Sequence, residues 1–285
     1  MSFDGPVTAT LRFYSHTTDG DEPFSRFGGK RGDSLPATNV VSAPSIVALQ
    51  DMRNNEELFS IDEQGFEAIR GVPSLRCELT DAQGNLCTDG KEGYVKQHVE
   101  ALVKARFESL TFVDVFKVTF RSADPNDSLK GQRRPSPLVH IDQTTETAAV
   151  FTAQLPNVVR AKVVTGEWRL RILSVWQPLV ANVEDWPLAL AESASCPTSR
   201  LLTCETRFPG GTSGAMALVR LADIDTMSWW YWSGMQDDEV LVINNFDSQN
   251  SCRCPHTSFR DPRVPSNATA YRKSAEARVL LVTSD

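Results

Sequence analysis

A chain of 285 residues with 41% hydrophobic content is long enough to bury a substantial core, and all-β sandwiches or barrels of this size are often single domains. Its formal charge of −7, without any long basic run, argues against a nucleic-acid partner, because phosphate-backbone affinity rests on clustered Lys and Arg. A small-molecule or peptide partner fits this balance better, and nothing in the composition speaks to oligomeric state. The N-terminal stretch MSFDGPVTATLRFYSHTTDGDEP has no apolar signal core, and no run approaches the roughly 18 apolar residues that span a bilayer. A soluble cytoplasmic protein with no membrane partner is expected. Within that stretch VTATLRFYS, residues 7 to 15, alternates like a strand, and the Gly/Pro/Ser-rich segment from Asp19 to Pro44 reads as a long surface excursion. The clearest helix covers 92 to 108, where Val95, Val99, Leu102, Val103 and Phe107 recur at three- and four-residue steps.

Beyond this helix the chain turns strand-rich. LTFVDVFKVTFR (110 to 121), PLVHID, AAVFTAQL, EWRLRILSVWQPL, ALVRLAD, SWWYW, EVLVINNF and ARVLLVTS all read as strands broken by turn signals, and RSADPNDSLKGQRRPSP (121 to 137) as a polar loop. Many short strands in one chain predict a mainly β protein with flanking helices and a sandwich or barrel core. No internal repeat, phosphate-cradling glycine loop or Gly-x-Ser-x-Gly elbow is present. The six cysteines, at 77, 87, 196, 204, 252 and 254, lack a dense framework spacing, so reduced thiols are expected.

Chemistry enters at VHIDQT. In a strand, His140 and Asp142 point to one face while Val139 and Ile141 face the other, so an imidazole and a carboxylate converge. A lone His-x-Asp is more often a solvated strand end, and the pair needs a third ligand. Of the four histidines, His98 borders the helix stripe and His16 lies in a polar segment, which leaves His256. Two imidazoles and one carboxylate suit ferrous iron with open positions, and zinc chemistry is also compatible. Cys252-x-Cys254-x-His256 could in principle offer zinc a softer set, but no fourth ligand is evident, and both cysteines read as neutral wall residues. Farther on, Arg272, Ser274, Glu276 and Arg278 share one strand face. Either Glu276 pairs with an arginine on a surface strand, or the two arginines meet a dicarboxylate.

The order His140-x-Asp142, His256, Arg272-x-Ser274 resembles the Fe(II)/2-oxoglutarate-dependent oxygenases. VHIDQT, VWQPL, DWPLALAESAS, WWYWSGMQDDEVLVINNFDS, PHTSF and RKSAEAR resemble, block by block, the mainly fungal hydroxylase/desaturase group of AsaB and CmcJ/NvfI type. The resemblance implies one domain over 1 to 285, with a mixed α/β flanking region (1 to 110) and a double-stranded β-helix, or jelly-roll, core (111 to 285). It implies His140, Asp142 and His256 as iron ligands, 2-oxoglutarate as cosubstrate held by Arg272 with Ser274 and Arg278 assisting, and O₂ as oxidant. The expected reaction couples decarboxylation of 2-oxoglutarate to hydroxylation, desaturation or ring closure of a small metabolite, with an amino acid or peptide-derived compound as one class, in specialised metabolism. Gln143 and Tyr231 are substrate-contact candidates. Two departures stand out: Trp176-Gln177-Pro178 where relatives carry Trp-Arg-Pro, expected to alter a pocket contact, and Phe246-Asp247-Ser248 for Tyr-Asp-Ser. A non-oxidative cupin-like metal enzyme and a non-catalytic binding module are the alternatives.

Overall fold

The computed structural model describes residues 4–27, 36–127, 133–208, 213–265, 267 and 270–284. In chain order its strands are β1 (Val7–Thr17), β2 (Phe24–Arg26), β3 (Val40–Asp51), β4 (Phe66–Ile69), β5 (Leu110–Ser122), β6 (His140–Ile141), β7 (Arg169–Pro178), β8 (Leu188–Ala191), β9 (Leu201–Arg207), β10 (Ser213–Val219), β11 (Trp229–Tyr231), β12 (Val240–Asp247), β13 (His256–Ser258) and β14 (Lys273–Thr283). The helices are α1 (Arg76–Leu79), α2 (Glu92–Arg106), α3 (Thr145–Gln154) and α4 (Asn157–Val164). The strands form a nine-stranded sheet, β1-β3-β11-β8-β13-β6-β10-β9-β2, and a five-stranded sheet, β4-β12-β7-β14-β5. This is the expected jelly roll, antiparallel except where β11 meets β3 and β2 meets β9.

The five-stranded sheet is covered on its outer side. Val95, Val99 and Val103 of α2 lie one helical turn apart and pack on Ala275, Ala277, Val279 and Leu281 of β14 and on Leu173 and Val175 of β7. β7 and β14 sit centrally with both faces buried, and the Val279-Leu280-Leu281-Val282 run of β14 is accordingly apolar throughout. The β14 residues of opposite parity, Ser274, Glu276 and Arg278, point inward, so one alternating sequence serves a core and a polar interior.

Three local expectations need correction. AAVFTAQL is helix α3, not a strand. Thr144 caps it by accepting a hydrogen bond from the Thr147 amide at 3.3 Å, and Ala148, Phe151 and Leu155 then form a three-and-four-step stripe against Leu170, Ile172 and Val282. The excursion from Asp19 to Pro44 contains β2 and the start of β3, whose backbone pairs with β1 despite Pro44; residues 28 to 35 of it lie outside the described residues. ALVRLAD leaves its strand at Val219 and turns into a 3₁₀ helix over Leu221–Thr226. The N-terminal strands β1, β3 and β4 hydrogen-bond directly into the two sheets.

Candidate active site

The site is set by backbone register. β6 and β13 are neighbours in the nine-stranded sheet with His140 directly opposite His256, so their rings face the same interior, with centroids 4.7 Å apart. Asp142 follows one residue beyond the end of β6 and keeps the direction of His140. Its Oδ1 lies 3.5 Å from His140 Nε2 and its Oδ2 3.7 Å from His256 Nε2. All three side chains are buried, and their ligand atoms fall within 4.8 Å of one another; no other such group of His, Cys, Asp and Glu occurs among the described residues.

The tautomers are set from behind. His140 Nδ1 donates to the Leu138 carbonyl at 2.7 Å and His256 Nδ1 to the Cys254 carbonyl at 3.0 Å, so each ring presents an Nε2 lone pair to the centre. Burial alone would push the Asp142 carboxyl up, but the Arg278 guanidinium, hydrogen-bonded to Oδ1, and the two imidazoles hold it well below the usual carboxylate range. Burial opposes protonation of His256, and the Asp142 carboxylate outweighs it and raises its pKa.

A further layer, missed in the sequence, fixes the carboxylate plane. Ser174 Oγ on β7 donates to Asp142 Oδ2 at 3.1 Å, Asn245 Nδ2 donates to Ser174 Oγ at 3.0 Å, and Asn245 Oδ1 accepts from the Asp142 amide at 3.3 Å. Asn245 falls at a bulge in β12, where the register with β7 shifts, and a bulge re-aims a side chain. The signal available was a polar residue inside an otherwise apolar strand: Ser in RILSVW, Asn-Asn in VLVINNF. Gly65 contributes from outside, since a Cβ there would meet the Arg253 carbonyl carbon at 3.2 Å and the Cys254 side chain at 3.3 Å, just where the chain enters β13.

Two cavities meet at this trio. The narrower one is lined by His140, His256, Trp176, Ser258, Arg272 and Glu276 among others. Arg272 is fully buried there. Its Nη1 donates to the Trp186 carbonyl at 2.8 Å and to Ser258 Oγ at 3.1 Å, whereas among the described residues Nε and Nη2 have no partner, and neither has the buried Ser274 hydroxyl. The Nε–Nη2 edge is the side of a guanidinium that grips a carboxylate at two points. Burial, reinforced by Arg121, pushes the Arg272 pKa down to about 9, as expected of a cation enclosed without a full counter-charge. The second cavity, of ≈ 800 Å³, reaches from His140, Asp142 and Gln143 to α3, β9 and β10. Gln143 is buried and lines this space, its Oε1 unpartnered among the described residues.

The structure thus brings together His140, Asp142, His256, Arg272, Ser274, Arg278 and Gln143. Arg278 sits on the Asp142 carboxylate, not beside Arg272, and Glu276 lies between them, 3.7 Å from Arg121 and 3.5 Å from Arg278. Tyr231 lies elsewhere: it is buried against Phe259, donates to the Gly5 carbonyl and accepts from Arg263 at 2.7 Å. Gln177 also points away from both cavities. Its amide nitrogen donates to the carbonyls of Pro73 at 3.0 Å and Asp237 at 2.7 Å, which leaves Oε1 to accept from His98 Nε2 at 3.1 Å. His98 is therefore a packing residue of α2, and His16 an exposed neighbour of Ser15. Cys252 and Cys254 are buried with thiol pKa values raised by burial, so both stay neutral.

The comparisons with known proteins agree with this geometry. The chain is 29% identical over 264 residues to the Fe(II)/2-oxoglutarate-dependent dioxygenase nvfI of Aspergillus novofumigatus, covering 92% of this chain and 91% of that one. It is 25% identical to the hydroxylase/desaturase efuI of Hormonema carpetanum, with 98% and 96% covered. Among solved structures, the iron and alpha-ketoglutarate-dependent endoperoxidase NvfI superposes with a TM-score of 0.77 at 25% identity over 97% of this chain and 98% of that one. The oxidoreductase/YMDC permease-like domain matches residues 11–282, and the chain belongs to that family.

Proposed function

We propose that this protein is an Fe(II)/2-oxoglutarate-dependent oxygenase that oxidises a small organic metabolite by hydroxylation, desaturation or ring formation. The observation that carries the reading is the convergence of two Nε2 lone pairs and one carboxylate beside a buried guanidinium with a free two-point edge. Two neutral imidazoles and a carboxylate on one side of a cation suit ferrous iron and leave its remaining positions open. His140, Asp142 and His256 would hold it. When bound, iron and 2-oxoglutarate supply the oxidising chemistry for which no side chain is suited.

The chain's own residues do the rest. Arg272 and Ser274 would hold the distal carboxylate of 2-oxoglutarate in the narrow cavity. Arg278, Ser174 and Asn245 hold the Asp142 carboxylate in one plane and keep it ionised. The larger cavity, walled by Gln143 and by residues of β5 and α3, receives the substrate on the side of the ligands away from Arg272. The decisive experiment is an anaerobic titration of iron-loaded protein with 2-oxoglutarate, following the visible charge-transfer band of the chelate. Wild type develops the band, and His140→Ala, Asp142→Ala and His256→Ala remain folded without it. A wild-type protein that takes up iron yet gives no band is not a 2-oxoglutarate enzyme, and the cupin-like alternative then takes its place.

A further inference from the structure

The larger cavity carries more positive charge than its own acids balance. Lys117 lies opposite Arg278 in the β5–β14 register, and Arg121 lies opposite Ser274. Arg133 lines the same wall. The buried acids in reach are Asp142, hydrogen-bonded to Arg278, and Glu276, within 4 Å of both Arg121 and Arg278. Neither Lys117 nor Arg133 has an ion pair or a side-chain hydrogen bond among the described residues, and the acids that Lys117 senses are these two engaged ones. Iron and 2-oxoglutarate carry opposite charges of equal size, so loading both adds no net charge, and the unmatched charges of Lys117 and Arg133 persist in the loaded enzyme. Glu146, on the same cavity, is exposed at its rim.

These two cations bracket an aromatic pair. The rings of Phe27 and Phe208 stack with centroids 6.1 Å apart; the Arg133 guanidinium carbon lies 4.7 Å from the Phe27 centroid and Lys117 Nζ 5.8 Å from that of Phe208. A few residues away Phe116 and Phe151 meet at 4.6 Å and continue the apolar lining. We infer that the substrate of this oxygenase is a small organic acid with an apolar body, its anionic group held by Lys117 and Arg133 and its body laid against the phenylalanines. Half-buried cations resting on ring faces have given up water without gaining a full counter-charge, and an acid entering the cavity supplies it. Burial, with Arg278 and Arg133 nearby, pushes the Lys117 ammonium down to about 8, in keeping with that vacancy of negative charge. The inference rests on the oxygenase reading, because it assigns the substrate of that site.

The test uses two dyes with the same apolar frame, 8-anilinonaphthalene-1-sulfonate and the uncharged N-phenyl-1-naphthylamine. Each is titrated by fluorescence into protein loaded with iron and 2-oxoglutarate, with oxygen excluded. Lys117→Gln and Arg133→Gln should each weaken the sulfonate about tenfold while moving the neutral amine less than about twofold, the loss expected for one charge-assisted contact. Lys117→Arg should restore sulfonate binding. Ala215→Trp, which fills the cavity from β10, should weaken both dyes. Sulfonate affinity unchanged in both glutamine variants, equal loss of the two dyes, or sulfonate binding that survives Ala215→Trp overturns the inference. The chelate band read in the same samples separates the two failures: a normal band with charge-blind dye binding sinks only the acid assignment, whereas a missing band sinks the oxygenase reading itself.

Discussion

Arg272 gives the sharpest quantitative test of the cosubstrate site. Its guanidinium already uses Nη1 on the Trp186 carbonyl and Ser258, so the contribution available to 2-oxoglutarate is the Nε–H and one Nη2–H, two charge-assisted hydrogen bonds in a fully buried setting. At about 1.5–3 kcal/mol each, Arg272→Ala should lose roughly 3–6 kcal/mol, a rise in the 2-oxoglutarate Kd of about 10² to 10⁴. Arg272→Lys keeps a charge but cannot form the planar two-point contact, and should fall between wild type and alanine. Anaerobic titration of the chelate band reads the Kd directly, and thermal unfolding gives an independent check. At a 2-oxoglutarate concentration of 100 Kd the wild type gains about 2.7 kcal/mol, while Arg272→Ala at the same concentration should gain almost nothing. Iron affinity without cosubstrate should stay within a few-fold, because Arg272 touches no ligand side chain. An alanine variant that binds 2-oxoglutarate within threefold of wild type refutes the reasoning, and Arg278 then becomes the first candidate for the anchor.

Ser174→Ala and Asn245→Ala should each weaken iron binding roughly 10–100-fold, as loss of a ligand-orienting contact does, with cosubstrate affinity measured at saturating iron little changed; competition with a chelator reads this. In native protein a thiol reagent should titrate only the exposed Cys77 and Cys87. Cys252 and Cys254 are buried and Cys196 and Cys204 are pushed up to about 11 by burial, so all four should react only on unfolding. His98 is held below its ordinary pKa by burial, against the hydrogen bond it donates to Gln177 Oε1. The unfolded chain then binds the proton more readily, so His98 stabilises the fold fully above its unfolded value of about 6.5, and loses this as pH falls through its lower folded value. Urea midpoints measured from pH 7.5 to 5 should fall more steeply for wild type than for His98→Asn.

The sequence was legible where one residue type served one purpose. The alternation in VTATLRFYS and RKSAEARVLLVT, and the 3.6-residue stripe of α2, carried over directly into elements. The convergence of His140, Asp142 and His256 was legible because histidines are scarce in this chain and the His-x-Asp parity is local. AAVFTAQL failed because its apolar residues suit a strand and a helix alike; the deciding feature was the Thr144 cap, outside the run. Tyr231 failed because parity within SWWYW says which residues alternate but not what each face meets, and both faces of that strand meet cores. Gln177 could not be placed without knowing that its outward side lies under α2. Arg278 was grouped correctly by face, yet strand parity does not say how far along the face the carboxylate lies.

The division of labour between elements has a consequence for how such a chain can diverge. Both imidazoles are aligned by main-chain pairing of two very short strands in the middle of one sheet, and the carboxylate by groups on β7 and β12. The walls of the large cavity come from other places: the inner face of β5, helix α3, and the ends of β9 and β10. Exchanging those wall residues reshapes the chamber without shifting a ligand. A one-residue insertion within β6 or β13 would instead turn a histidine to the opposite face and destroy the centre at once. Selection can therefore rewrite what enters while leaving the oxidising apparatus untouched, and laboratory libraries aimed at new substrates belong on β5, α3 and the β9–β10 hairpin.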